Sequence, residues 1–176
     1  MSCEGVVHLR RASPGDARAI AEVHVKSWRH VYRDQLPRSF LDALDVGRRE
    51  SFWRSEVELL GQDNRPWVAD AEGRVVGFVS VGPTRDDDAP VRTGEVYAIY
   101  VDPDCWDRGI GRNLLAHAVR DLRAHGYDRA SLWVIELNEQ ARRFYDAAGW
   151  TTDGATKTDT IGGVDVAEVR YSRSLD

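Results

Sequence analysis

The chain has 176 residues, 42% hydrophobic and 30% charged, with six Trp; a fold of this length buries roughly 70% of the surface its unfolded chain exposes, which argues against disorder or a fibrous repeat and for a single domain over residues 1–176. Basic side chains number 24 against 29 acids, for a net charge of −5, so no broad basic surface is expected for nucleic acid or an anionic membrane. No apolar run approaches the roughly 20 residues of a membrane span or forms a secretion signal, and Cys3 and Cys105 make neither a disulfide framework nor a metal spacing; a soluble protein of a reducing cytoplasm is the expectation.

Val6 to Arg10 alternates weakly, as a short strand does. Ser13-Pro14-Gly15-Asp16 sets a capping Ser before Pro, with an acid three residues on, and so starts a helix. Ala17, Ile20, Ala21, His24, Trp28 and Val31 then recur at helical spacing to about Tyr32. Pro37 opens a short helix through Leu44, and a third helical stretch runs from about Asp45 to Leu60. Pro66 to Ala69 and Val75 to Val81 read as an antiparallel hairpin around Asp70-Ala71-Glu72-Gly73. Gly82 to Gly94, with Asp86, Asp87 and Asp88, reads as a solvated loop.

Glu95 to Val101 is the next strand, with Glu95, Tyr97, Ile99 and Val101 on one face and Val96, Ala98 and Tyr100 on the other. Asp102-Pro103 ends it, and Ile110, Leu114, Ala118 and Leu122 mark an amphipathic helix from near Gly109 to Gly126. A strand over Ala130 to Ile135 follows, then a short helix from Asn138 to Gly149. Two final strands, one short and one from about Val164 to Tyr171, are joined by Ile161-Gly162-Gly163.

Trp106-Asp107-Arg108-Gly109-Ile110-Gly111-Arg112 lies between a strand and a helix. Glycines there let the backbone present several N–H groups beside the positive end of the helix dipole, a cradle for phosphate oxygens. Arg108 and Arg112 would add charge-assisted bonds. A ligand-free tight turn has the same spacing, so the pattern alone leaves both readings open. It is not a P-loop, which needs Gly-Lys-Ser or Gly-Lys-Thr, and position 114, where a dinucleotide fingerprint has its third glycine, is Leu.

The order of motifs resembles the GNAT superfamily of acyl-CoA-dependent N-acetyltransferases. That family's diphosphate motif reads Gln or Arg, two residues, Gly, one residue, Gly or Ala; here the glycines are Gly109 and Gly111, and the first slot is Trp106. Upstream, Tyr97-Ala98-Ile99-Tyr100-Val101-Asp102-Pro103 is similar to the family's fourth strand. Downstream, Asn138-Glu139-Gln140-Ala141-Arg142-Arg143-Phe144-Tyr145 with Gly149-Trp150 is similar to its closing helix. Ser27-Trp28-Arg29 and Tyr32 resemble one bacterial branch.

The resemblance implies a mixed α/β (α+β) domain: a mainly antiparallel sheet of six or seven strands flanked by helices and splayed between the fourth and fifth. It places acetyl-CoA in the gap, the pantetheine against the backbone of Ile99, Tyr100 and Val101 and the diphosphate on Asp107, Arg108, Gly109, Ile110, Gly111 and Arg112, with Arg142 and Arg143 as further candidate cations. Asn138 and Tyr145 would meet the arm of the cofactor, Asn138 serving equally as a helix N-cap.

Acetyl transfer to an amine must deprotonate an ammonium and neutralise a thiolate. Tyr145 stands where the family places its acid, and a phenol can donate to the thiolate; packing beside Phe144 is the other reading. Glu95 lies fourteen residues before Gly109, the register of the catalytic glutamate in the histone-acetylating branch, and would act as base through a water; Glu136 or water alone are alternatives. Trp28 and Tyr32 either line an acceptor pocket or belong to the core. The Asp86–Asp88 loop could draw in a cationic acceptor. No metal and no thiol nucleophile at Cys105 are expected. The expected partner is a small-molecule amine, with a homodimer, a protein or peptide acceptor and a non-catalytic CoA-binding module left open.

Overall fold

The computed structural model describes residues 5–61 and 64–175. In chain order the elements are β1 (Val7–Arg11), α1 (Ala17–Val31), α2 (Arg38–Asp42), α3 (Val46–Leu59), β2 (Trp67–Ala71), β3 (Arg74–Pro83), β4 (Thr93–Val101), α4 (Ile110–Ala124), β5 (Arg129–Ile135), α5 (Glu139–Ala147), β6 (Thr151–Ile161) and β7 (Val164–Ser174). The strands form one sheet of seven in the order β1-β2-β3-β4-β5-β7-β6. Every neighbouring pair is antiparallel except β4 and β5, which run parallel. The architecture is the mixed, mainly antiparallel one expected.

Local chemistry explains most boundaries. The backbone N–H and hydroxyl of Ser13 both donate to Asp16 Oδ2 at 2.7 Å, and Arg10 adds two bonds of 2.8 Å to the same carboxylate. Hydrogen bonding to Arg10, more than to Ser13, pulls the Asp16 pKa down to about 2. Between β2 and β3 only Glu72 and Gly73 turn, with φ of 52° and 86°, the doubly left-handed pair that a two-residue hairpin needs. The strands therefore run further into the Asp70–Gly73 segment than its composition suggests. β6 has eleven residues and is not short; almost all of it is exposed, so it has no buried face to impose an alternation.

The sheet is covered on both faces. The α4 stripe, with Leu114, Ala118 and Leu122, packs with Val76, Val79, Leu132, Trp150 and Tyr171. On the other face Ile20 and Ala21 of α1 and Trp53 and Val57 of α3 meet Val68, Val75 and Phe78. A third cluster joins Tyr32, Leu36 and Leu41 to Ile135 and Val166 at the end of α1.

Two further local expectations fail. The alternation read over β4 breaks because Ser80 pairs with Ala98 while Val81 pairs with Val96, leaving Tyr97 as the extra residue of a β-bulge. The phase shift puts Val96, Ile99 and Val101 in the α4 cluster and Ala98 and Tyr100 in the α1 cluster, while Glu95 and Tyr97 share Arg85. The acidic loop is also not merely solvated. Arg170 holds Asp88 at 2.7 and 3.0 Å and Asp86 at 3.2 Å, and the Trp133 indole N–H donates to Asp86 at 3.0 Å. Arg170, which also pairs with Asp153 at 2.8 Å, offsets only part of that charge, and Asp87 stays exposed.

Candidate active site

The parallel β4–β5 contact is limited to Thr93↔Arg129, Gly94↔Ala130 and Glu95↔Ser131. Beyond these the strands part, and a cavity of about 1040 Å³ opens between them. Asp102 N–H donates to Val76 O, so by the alternation of an antiparallel ladder the backbone groups of Tyr100 face β3 while those of Ile99 and Val101 face the gap. One of those groups is already taken. The Trp106 indole N–H donates to Val101 O at 2.9 Å, and the Ser27 hydroxyl reaches the same oxygen at 3.1 Å. His30 packs edge-on against the Trp106 ring at 4.9 Å. Where the family motif has Gln or Arg, this chain has an indole that caps a carbonyl of β4.

One end of the cavity is the start of α4. Asp107 and Gly109 have φ of 59° and 75°, a left-handed entry that Gly109 adopts without strain. Asp107, Gly109, Ile110, Gly111 and Arg112 line the cavity. A Cβ on Gly111 would make only ordinary contact with the Phe144 ring at 3.6 Å, so packing does not demand glycine there; its absence of side chain leaves the first turn bare. Arg108 is exposed and outside the cavity wall. Arg142 bonds Tyr171 Oη at 3.4 Å and Glu136 O at 3.2 Å, and Arg143 pairs with Glu139 at 3.2 Å. Neither joins the wall, so of the four candidate arginines only Arg112 faces the cavity.

Asn138 is buried in the wall, and its Oδ1 accepts the Ala141 N–H at 3.1 Å, capping α5 as Asn readily does. Tyr145 is 7% exposed, with its ring 5.3, 6.4 and 5.9 Å from those of Phe144, Trp150 and Tyr171. Burial, with Tyr32 as a smaller influence, raises its phenol pKa well above the ordinary value. Tyr145 therefore both packs in the core and lines the cavity as a protonated donor.

At the other end Glu95 is 1% exposed yet lines the cavity. The Arg85 backbone N–H donates to Glu95 Oε2 at 2.9 Å, its Nε to Oε1 at 3.2 Å, and its Nη2 makes the tightest contact, also to Oε1. The Arg85 guanidinium stacks 4.4 Å over Tyr97, whose pKa is pushed up to about 12, first by burial and then by the Glu95 charge. Trp28 and Tyr32 meet edge to face at 5.1 Å, and the Trp28 indole N–H donates to Tyr100 Oη at 2.9 Å. Both line the cavity and also pack in the third cluster. Glu136 is exposed and outside the wall.

His24 is a core residue. Its Nδ1 accepts from the Trp53 indole at 3.2 Å, its ring stacks on Tyr100 at 4.9 Å, and burial lowers its pKa to about 3. Cys105 is fully buried without a free thiol, so the cysteine spacing misled; Cys3 lies outside the described residues. Among the described residues no cluster of His, Cys, Asp or Glu could hold a metal ion, and no helix is long and apolar enough to cross a membrane. The wall also contains Arg49, Arg85, Trp133, Lys157 and Glu168, which no motif marks because they arrive from α3, a loop and three separate strands.

Comparison with known proteins fits this geometry. The model of the Acetyltransferase (GNAT) family matches residues 19–150. The uncharacterized N-acetyltransferase YuaI of Bacillus subtilis is 39% identical over 134 residues, 76% of this chain and 74% of that protein. "Probable N-acetyltransferase Rv2775" of Mycobacterium tuberculosis is 31% identical over 169 residues, 94% and 92% of the two chains. The crystal structure of PaiA N-acetyltransferase from Thermoplasma acidophilum in complex with coenzyme A superposes with a TM-score of 0.71 at 18% identity, over 96% of this chain and 99% of that one. The chain belongs to the Acetyltransferase (GNAT) family and is an acetyltransferase.

Proposed function

We propose that the chain is a single N-acetyltransferase domain that moves an acetyl group from acetyl-CoA to a primary amine of a small molecule by direct attack. The observation that carries this reading is the cavity itself. It runs from the bare first turn of α4, past the outward backbone groups of β4, to Tyr145 and Glu95. The N–H groups over Asp107 to Arg112, aided by the helix dipole and Arg112, suit a diphosphate. Ile99 and Val101 offer the strand edge that a pantetheine arm can extend. Val101 O, already capped by Trp106, leaves the Ile99 groups and the Val101 N–H for that purpose.

The chemistry divides between the two ends. Glu95 takes the ammonium proton through a water, with Arg85 fixing the orientation of its carboxylate. The neutral amine attacks the thioester carbonyl, a C–N bond forms, and a backbone N–H near Ile99 bonds the developing oxyanion. As the C–S bond breaks, Tyr145 gives its proton to the thiolate, and the second proton of the attacking nitrogen leaves through water to the phenolate, which completes the neutral amide and restores the phenol. No acetyl group passes through the enzyme covalently.

The test is thiol release from acetyl-CoA across small amines, aminoglycosides and peptides. Release with small amines is expected, and Glu95→Gln should lose most rate at low pH, where the amine is hardest to deprotonate. An unchanged pH profile would remove Glu95 from the mechanism. Release with peptides alone would move the acceptor to proteins, and binding without release would make the chain a CoA-binding module.

A further inference from the structure

The charges along the cavity wall are unevenly paired. Arg85 is held by Glu95, and Lys157 pairs with Glu168 at 3.2 Å while lying 4.4 Å over the Trp133 ring. Arg49 is different. It is half-buried on α3 and lines the cavity, and its guanidinium makes no ion pair or hydrogen bond among the described residues; the Phe52 ring lies 5.9 Å from its guanidinium carbon. The His24 imidazole, stacked under Tyr100 in the same region, feels the Arg49 charge. A partly desolvated guanidinium without an internal counter-ion, in a wall shared with Trp28, Tyr97 and Trp133, is a receptor for an anionic group on whatever enters.

The cofactor's phosphates do not account for it. Their cradle is at α4, which packs on the opposite face of the sheet from α3. Of the acidic loop, Asp86 and Asp88 are engaged by Arg170, and Asp86 alone of its three acids comes within reach of a cavity-lining side chain, Trp133. A guanidinium fork matches a carboxylate with two parallel bonds, and a single arginine balances one negative charge. Two cavity carboxylates have no ion pair among the described residues lining it: Asp107, beside the start of α4, and Asp159, whose Oδ1 accepts the Thr160 N–H at 2.8 Å.

Building on the acetyltransferase reading, we infer that the acceptor is an amine that also carries a carboxylate, of the amino-acid class, with the carboxylate bound by Arg49 and the amine directed toward Glu95. Arg49 is then a specificity-determining residue, and the acceptor enters as a zwitterion.

The experiment uses matched probes: phenylalanine, phenylalaninamide and phenethylamine, with the corresponding sets for methionine and alanine, each assayed for thiol release from acetyl-CoA. A charge-assisted pair predicts a kcat/KM for at least one acid about ten- to a hundredfold above that of its decarboxylated amine, carried mainly by KM. In Arg49→Gln that ratio should collapse toward one, while the affinity for coenzyme A, measured by calorimetry, stays as in the wild type. Decarboxylated amines equal to or better than the acids throughout, or a ratio unchanged in Arg49→Gln, would overturn the inference and leave acetyl transfer standing. A second measurement needs no turnover: calorimetric binding of N-acetylphenylalanine and N-phenethylacetamide to the coenzyme A-loaded protein. Arg49-dependent preference for the acid without thiol release from any probe would support the carboxylate site and count against acetyl transfer; no preference together with no release would overturn both.

Discussion

Burial decides what Tyr145 can do. A phenol whose pKa is raised stays protonated past its ordinary value near 10, so its donor form is present at every pH at which the protein would work, and it sets no alkaline limb. Tyr145→Phe keeps the ring and its contacts with Phe144, Trp150 and Tyr171. The expected result is a fall in kcat of about a hundredfold with a urea midpoint close to wild type; full rate at every pH would end the acid role. His24 makes the opposite case, a titratable group that is structural. Its folded pKa of about 3 lies below the unfolded value near 6.5, so the unfolded chain binds the proton first. Stability should therefore fall as pH drops from about 6.5 toward 3, by at most about 1.4 kcal/mol per pH unit from this residue. His24→Asn, which keeps an acceptor for Trp53, should show a shallower loss in urea titrations at pH 7, 5.5 and 4.5. Residues of this kind differ in legibility. Tyr145 and Gly109 sit in local motifs, whereas the partners that define their surroundings, such as Arg85 on Glu95 or Arg170 on Asp88, become neighbours only when distant segments meet.

Among the elements, the start of α4 separates two glycines that look equivalent in the sequence. Gly109 holds a left-handed φ of 75° and Gly111 does not. Gly109→Ala should cost about 1 kcal/mol in stability. Gly111→Ala, on a helical backbone with room beside Phe144, should leave the melting temperature unchanged or slightly raised yet weaken coenzyme A binding, because the methyl stands over the bare turn. Calorimetry on both variants separates the effects, and equal losses of stability would show that the turn, and not the cradle, explains both glycines. Caps and turns made most helices legible: Ser13 with Asp16, Asp45, Asn138 and Gly126 stand where α1, α3, α5 and α4 begin or end. Two features escaped for physical reasons. The exposed β6 carries no burial pattern to read, and a bulge such as that at Tyr97 adds one residue without altering composition, so a period of two read straight through it assigns later side chains to the wrong face.

At the scale of the molecule, the net charge of −5 coexists with a local anion cradle and with one uncompensated guanidinium, since charge averaged over a surface says little about a cleft. The fold class was readable because motif order survives where single motifs are weak. Coenzyme A, binding the folded state alone, should raise the unfolding free energy by about 2.7 kcal/mol at a hundred times its Kd; a urea midpoint unmoved by saturating cofactor would count against the site. The short β4–β5 contact has a mechanical side. Strand to strand, only three residue pairs join the first four strands to the last three, so this seam is held mainly by the α4 cluster packed across it and by contacts such as the Arg170 clasp on the loop before β4. The seam should breathe, and amide deuterium uptake ought to reveal it: Ile99 and Val101, although in the middle of a seven-stranded sheet, exchange faster than Phe78 and Tyr100 on the closed side, and slow once an occupant fills the gap like an eighth strand.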